Sequence, residues 1–190
     1  MTKAELRKTA AKRRQGMTDE VRAKASALIA QRLFSLKEWK KASSVFLYCS
    51  CGDEVHTDDV IDRALSEGKK VALPRVISDS EMVFIEIASR EELVTGAYGI
   101  REPEDTGEYA KYSPDLILVP CVGADRKGRR IGHGRGYYDR YLQDMEDTLK
   151  ICPAYECQIV EGLVTEDTDI DMDIIITEED IYGAGQTGQD

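Results

Sequence analysis

The chain has 190 residues, 42% hydrophobic and 33% charged, which is long enough to bury an ordinary core and points to one domain. A net charge of −10 at pH 7 argues against general affinity for nucleic acid or anionic membrane surfaces. The longest uncharged apolar stretch, Leu116 to Ala124, is too short to span a bilayer, and the basic start MTKAELRKTAAKRR lacks the apolar core of a signal peptide, so the expected setting is cytoplasmic.

In chain order, Lys3 to about Gln15 reads as a helix with Leu6 and Ala10 on one stripe, and Lys3 and Arg7, four apart, on one face. Spacing alone makes that pair a solvated basic face. Thr18 can cap a second helix, with Asp19 and Glu20 in its first turn and a core stripe of Val21, Ala25, Leu28, Ile29, Leu33 and Leu36. Ser44–Tyr48 reads as a strand. The loop from Cys49 to His56 carries Gly52, Asp53 and Glu54. Thr57 is placed to cap a helix through Val60, Ile61, Ala64 and Leu65, with Gly68 at its stop. Val71–Pro74 is the next strand, and this β-α-β unit implies a parallel sheet with a right-handed crossover. Met82–Ile87 is another strand, and Ser89 to Glu92 has the form of a capping box. Residues 95–114 read as one irregular excursion. Strands are then expected at Leu116–Pro120, Ile151–Tyr155 and Ile174–Ile176. The fold class is therefore α/β: a single domain over residues 1–182, with a mainly parallel open sheet flanked by helices and an N-terminal helical segment. Residues 183–190 form an expected disordered tail.

The five cysteines (49, 51, 121, 152 and 157) are odd in number and irregularly spaced, as free thiols of a reducing compartment would be. Cys49, Cys51 and His56 lack a second ligand pair, which makes zinc the weaker reading.

The segment that carries chemistry follows the strand at Leu116. From Asp125 to Arg140 it holds six Lys/Arg against two Asp in an acidic chain, and three glycines at alternate positions: Gly132, Gly134 and Gly136. The spacing G-x-G-x-G is neither a Walker A loop nor G-x-G-x-x-G. Glycines let backbone approach a ligand closely, and Arg129, Arg130 and Arg135 supply charge, so a polyphosphate is the suited ligand. Asp139, one turn into the next helix, either compensates the helix dipole or helps to hold Mg²⁺ beside phosphate oxygens. A second carboxylate would come from the acidic tract Glu166 to Asp173, and spacing does not choose among its members. In an open α/β sheet the loops after the strands share one crevice, which would gather the Glu54 loop, the loop after Leu73 and the glycine loop.

The run from Gly132 through Tyr137-Tyr138-Asp139 to Arg140, with Val119-Pro120 and Asp125 ahead of it, resembles the signature of the 5-formyltetrahydrofolate cyclo-ligase family. The likeness extends over nearly the whole chain: Lys3, Leu6 and Arg7; Asp53-Glu54-Val55 with Thr57; Leu73-Pro74-Arg75; residues 96–103; and Asp169 and Asp173 followed by Ile175-Ile176-Thr177-Glu178. The resemblance implies ATP- and Mg²⁺-dependent cyclisation of 5-formyltetrahydrofolate to 5,10-methenyltetrahydrofolate, by phosphorylation of the formyl oxygen and attack of N10. It assigns ATP binding to Lys3, Arg7, Arg130, Gly132, His133, Gly134, Arg135, Gly136, Tyr137 and Tyr138. The substrate falls to Cys49, Glu54, Tyr98 and the stretch His133, Gly134, Arg135, Gly136 and Tyr137, with Glu54 reading the pterin ring and Tyr98 stacking on the folate. Mg²⁺ falls to Asp139 and Asp169, and Asp139→Ala is then expected to remove the metal-dependent step while leaving the fold intact. No nucleophile–base pair is evident; Arg135 would stabilise the transferring phosphoryl group. The partners implied are small molecules only, with a monomeric chain. Departures from the family pattern are Cys121 in place of a usual glycine, Ala124 in place of a usual phenylalanine, and His133 and Arg135 at variable positions. Two other readings remain open at this point: a sugar-phosphate isomerase-like enzyme with Glu54 as base, and a non-catalytic nucleotide-binding regulator.

Overall fold

The structure, a computed structural model, describes residues 2–96 and 99–183. Helix α1 (Lys3–Gln15) and helix α2 (Asp19–Ser35) lead through a short α3 (Lys37–Lys41) into strand β1 (Ser44–Phe46). Helix α4 (Asp58–Ser66) crosses over to β2 (Lys70–Val76), which turns back into β3 (Met82–Ile87). A small hairpin, β4 (Leu93–Thr95) with β5 (Arg101–Pro103), precedes β6 (Leu116–Leu118). A second hairpin, β7 (Gly123–Ala124) with β8 (Arg130–Ile131), precedes α5 (Tyr137–Leu142). Strands β9 (Leu149–Pro153), β10 (Ile174–Ile176) and β11 (Ile181–Gly183) complete the chain.

Seven strands form one sheet in the order β11-β10-β9-β6-β1-β2-β3. The five inner strands run parallel, and β3 and β11 are antiparallel edges. Parallel strands covered on both faces are continuous in apolar residues, which is why β1 and β6 show no polar alternation. The period of two still sorts their side chains. Val45, Leu47, Leu116, Leu118, Ile151 and Ile176 face a core shared with Ile29, Leu33, Trp39 and Ile61 of the helices. Phe46, Ile117, Cys152 and Ile175 face a second core with Phe84, Leu142 and Met145, in which the Phe46 and Phe84 rings stack with centroids 4.6 Å apart. Helix α1 lies off the sheet, with Leu6 and Ala10 packed on Val122, Ile131, Val160 and Leu163.

The structure corrects four local expectations. Val21 and Leu28 are 51% and 38% exposed, and α2 instead buries Ala25, Ser26, Ile29, Ala30 and Leu33. Ser26 is tolerated there because its hydroxyl pairs with Tyr155 Oη at 3.0 Å and accepts from the His56 amide at 3.0 Å. Thr57 makes no side-chain cap; its hydroxyl donates to the Tyr48 carbonyl and accepts from the Ser50 amide at 3.1 Å, pinning the loop after β1. The stretch 95–114 is not uniformly irregular, since Thr95 pairs with Arg101 in the β4–β5 hairpin. The β7–β8 hairpin separates β6 from the glycine loop. Gly183, placed at the start of the expected tail, pairs with Ile174; residues 184–190 lie outside the described residues.

Asp115 ties the start of β1 to β6. Its Oδ2 accepts from the Ser43 and Ser44 amides at 2.8 and 2.9 Å and from the Ser44 hydroxyl at 3.1 Å. These bonds, those from the backbone first, hold its pKa below the ordinary carboxylate value. A depressed carboxyl contributes stability above its unfolded pKa and loses it as pH falls through the folded one. Asp115→Ala is expected to cost about 1–2 kcal/mol at neutral pH. In denaturant melts the gap from wild type should close below about pH 4, the unperturbed aspartate range; a gap constant with pH would refute this account.

Candidate active site

One cleft of about 980 Å³ opens beside the carboxyl ends of β1, β2 and β6, lined there by Cys49, Pro74 and Pro120. The position follows from the parallel sheet, whose strand ends leave a crevice between diverging loops. Every residue that the family resemblance assigns to the site and that lies among the described residues lines this cleft: Lys3, Arg7, Cys49, Glu54, Arg130, Gly132 through Asp139, and Asp169. Tyr98 lies outside the described residues.

At one end the cleft is cationic. Lys3 Nζ lies 2.5 Å from Asp169 Oδ2 and 3.1 Å from Glu166 Oε1. Burial opposes the ammonium charge, but these bonds outweigh it and hold the Lys3 pKa above its ordinary value. Asp169 is lowered in turn: burial pushes it up, and bonds from Lys3 and the Glu166 amide more than offset that. Arg7 Nε donates to the Gly132 carbonyl at 2.8 Å, so α1 holds the glycine loop directly. Gly134 and Gly136 have φ of +94° and +69°, a region that L side chains rarely adopt. A Cβ on Gly136 would also stand 2.8 Å from Arg140 Nη1.

Arg130 is 5% exposed, and its Nη2 lies 2.8 Å from Asp139 Oδ1, which also accepts from the Ile170 amide at 3.2 Å. Asp139 therefore pairs with a buried cation and stands beside the segment that carries Asp169. Asp139 and Asp169 each use one oxygen for these bonds, leaving the other without a hydrogen bond among the described residues. No cluster of three or more His, Cys, Asp or Glu able to hold a metal occurs among the described residues. Two carboxylates with spare oxygens suit Mg²⁺, which takes one or two protein carboxylates and fills its shell with phosphate and water.

The other end of the cleft is less charged. Glu54 Oε2 accepts from the Cys51 amide at 3.0 Å, and its Oε1 lies 3.5 Å from His133 Nε2. Cys49 is buried, and burial pushes its thiol up to about 11, so it is protonated at neutral pH. The Tyr138 hydroxyl is buried without a hydrogen-bond partner among the described residues; burial first, and then the Glu54 charge, drive its pKa upward.

The basic cluster divides differently from its sequence reading. Arg129 is consumed by Asp125 at 2.6 Å in the β7–β8 turn and Arg126 by Glu156 at 2.8 Å, so neither lines the cleft. Three arginines to which sequence reasoning gives no site role also line it: Arg14, Arg101 and Arg140. Arg140 donates to the Ser80 carbonyl at 2.9 Å and the Arg135 carbonyl at 2.9 Å, and Tyr137 Oη donates to the Ser78 carbonyl at 3.0 Å, fastening the glycine loop to the β2–β3 turn. Arg14 reaches the loop of Glu54 from the far end of α1. Their contacts are with backbone or with residues distant in sequence, so no local motif announces them.

A mainly parallel sheet whose strand-end cleft joins a cationic glycine loop to a carboxylate-bearing pocket defines an α/β protein with a charged strand-end cleft. The comparisons make this particular. The 5-formyltetrahydrofolate cyclo-ligase family model matches residues 1–178, and the chain belongs to that family. It is 37% identical over 133 residues, 66% of this chain and 64% of the other, to a probable 5-formyltetrahydrofolate cyclo-ligase of Schizosaccharomyces pombe. It is 30% identical over 90% of its length to the 5-formyltetrahydrofolate cyclo-ligase of Escherichia coli K12, covering 97% of that protein. The solved structure of Aquifex aeolicus 5,10-methenyltetrahydrofolate synthetase superposes with a TM-score of 0.86 at 35% identity, covering 100% of this chain and 96% of that one.

Because Arg130 is buried, Asp139→Ala strands a cation, contrary to the expectation of an undisturbed fold. The loss is expected to be about 3–5 kcal/mol of unfolding free energy. Asp139→Asn keeps an acceptor for Arg130 and the Ile170 amide and should cost clearly less; equal melting temperatures for wild type and Asp139→Ala would show that the pair is not structural.

Proposed function

We propose that the chain catalyses the ATP- and Mg²⁺-dependent closure of 5-formyltetrahydrofolate to 5,10-methenyltetrahydrofolate, releasing ADP and phosphate. The observation that carries this is the two-ended cleft. The Lys3, Arg7 and glycine-loop end suits a polyphosphate, and the Glu54 end suits a ring with several N–H donors, both within one space.

In this reading Lys3, Arg7 and Arg130 hold the phosphates with the backbone of Gly132–Gly136. Arg135, exposed at the loop crest, reaches the phosphoryl group in transfer. Asp139 and Asp169 would hold Mg²⁺, which would supply charge neutralisation to the phosphate oxygens. Glu54 accepts from the pterin's amino and N–H groups and so fixes the formyl group against the nucleotide, with Cys49 and Tyr138 as an uncharged wall. His133 and Tyr137 border the substrate from the loop. The formyl oxygen takes the terminal phosphoryl group and ADP departs. N10 then bonds to the formyl carbon, its proton is lost, and the oxygen leaves as phosphate. Such a reaction asks for alignment and charge stabilisation rather than a protein nucleophile, consistent with a protonated Cys49. The reading carries with it a cytoplasmic monomer in which the five cysteines stay free, and one chain supplies the whole cleft.

Incubating the protein with 5-formyltetrahydrofolate, ATP and Mg²⁺ should produce the methenyl chromophore only when all three are present. Folded protein without product overturns the reading. Glu54→Gln should raise KM for the folate roughly 10-fold or more, with KM for ATP little changed. Asp139→Asn should lower kcat about 100-fold.

A further inference from the structure

Helix α1 presents Lys3, Arg7, Ala10 and Arg14 along one stripe, at the spacing of successive turns. Lys3 meets the acidic segment and Arg7 the glycine loop. Arg14, the last of the stripe, is 5% exposed and makes two contacts on different elements. Its Nη2 lies 2.8 Å from Asp53 Oδ1, and its Nη1 donates to the Cys121 carbonyl at 3.3 Å. Asp53 immediately precedes Glu54 in a turn closed on itself, where the Glu54 amide donates to the Cys51 carbonyl at 3.2 Å and the Cys51 amide donates to Glu54 Oε2 at 3.0 Å. Gly52 in this turn has φ +61°. The turn's other anchors are Tyr155 Oη on the Glu54 carbonyl at 3.1 Å and Thr57 at its far side.

We infer that Arg14 is a positioning residue for substrate recognition: through Asp53 it sets where the Glu54 carboxylate stands relative to the glycine loop. A planar guanidinium holds two acceptors at fixed separation, so one side chain registers the turn after β1 against the segment after β6. Its burial leaves no room for a looser arrangement, because Arg14 Nε is already buried without a partner and Asp53 is the anion that compensates the charge. A lysine would carry the charge but not both directions. Arg14 does not contact the substrate in this account; it acts on Glu54 alone.

The inference rests on the reading of Glu54 as the carboxylate that receives the folate, and its test separates the two. Arg14→Gln and Asp53→Asn break the same link from opposite ends. Each should raise KM for 5-formyltetrahydrofolate roughly 10- to 100-fold, with KM for ATP within about twofold of wild type. The double variant should be no worse than the worse single one, since both act through one contact. Arg14→Lys should recover part of the loss. In parallel, hydrogen–deuterium exchange of the Cys51–Val55 amides, which needs no turnover, should quicken in both single variants while α2 and the central strands stay protected. Unchanged exchange in this turn overturns the positioning role whatever the activity. Faster exchange with equal shifts in both KM values confines Arg14 to general stability and overturns it too. Faster exchange in a wild-type background that makes no methenyl product leaves the link standing and refutes the role given to Glu54 instead. Should Arg14→Gln fail to fold, Asp53→Asn carries the same comparison, because the Asp53 side chain is more exposed than that of Arg14 and the neutral amide removes the ion pair.

Discussion

The buried Arg130–Asp139 pair is the contact on which the cleft depends. A guanidinium this deep is tolerable only beside an anion, so β8 and α5 are held at a fixed separation and the five residues between them must bridge it. Glycines with positive φ make so tight a bridge possible without strain. The same Asp139 oxygen accepts from Ile170, which draws the acidic segment against the loop and places Asp169 near Lys3. One ion pair thus fixes the crest of the glycine loop, the pair of carboxylates suited to a divalent cation, and the edge of the cleft.

Helix α1 does the complementary work from outside the sheet. Its apolar side is narrow, Leu6 and Ala10 against the β7–β8 hairpin, and its position owes as much to cations reaching backbone and carboxylate acceptors. Such contacts are weak anchors when solvated and firmer when half-buried. Lys3 is the most exchangeable of them: Glu166, one of its partners, is 71% exposed. A phosphate arriving at Lys3 competes with an anion that water already solvates, so ligand binding there disturbs little of the core. Arg7 and Arg14 bond to main chain and to a half-buried carboxylate, and they serve the frame.

Much of the sheet was legible because parallel strands advertise themselves as short apolar runs and helices by their caps. The strands at Ser44–Phe46, Lys70–Val76, Leu116–Leu118 and Ile174–Ile176 fall on the runs that composition marks as Ser44–Tyr48, Val71–Pro74, Leu116–Pro120 and Ile174–Ile176. The misplaced stripe of α2 shows where periodicity fails: Ser26 is inside and Val21 outside, because a hydrogen bond to Tyr155 decides the first and helix rotation the second. The β7–β8 hairpin was hidden because two-residue strands carry no pattern. In the cleft, the motif marked Gly132 to Arg140 and the resemblance added Asp169, yet neither marked Arg14 nor gave Arg140 its partners. Their partners are Asp53, Ser80 and main-chain carbonyls, and such pairings exist only after the fold has formed.

The cleft's chemistry is a matter of where charge is allowed. At the phosphate end every carboxylate is answered by a cation, Asp139 by Arg130 and Asp169 by Lys3, so added negative charge meets a field already balanced in its favour by Arg7 and the loop. At the other end burial keeps the Cys49 thiol and the Tyr138 hydroxyl protonated, and Asp53 is tied to Arg14. Arg101 and Glu102 also line the cleft, and Glu102 Oε2 accepts from the Val76 amide at 3.1 Å, while Glu54 Oε1 lies 3.5 Å from His133 Nε2. An oriented carboxylate beside a protonated thiol and a protonated hydroxyl discriminates by hydrogen-bond pattern, because each N–H it fails to meet would be buried without a partner. On the proposed reading, recognition falls to one end and charge stabilisation to the other, and the glycine loop between them is where the two ligands meet.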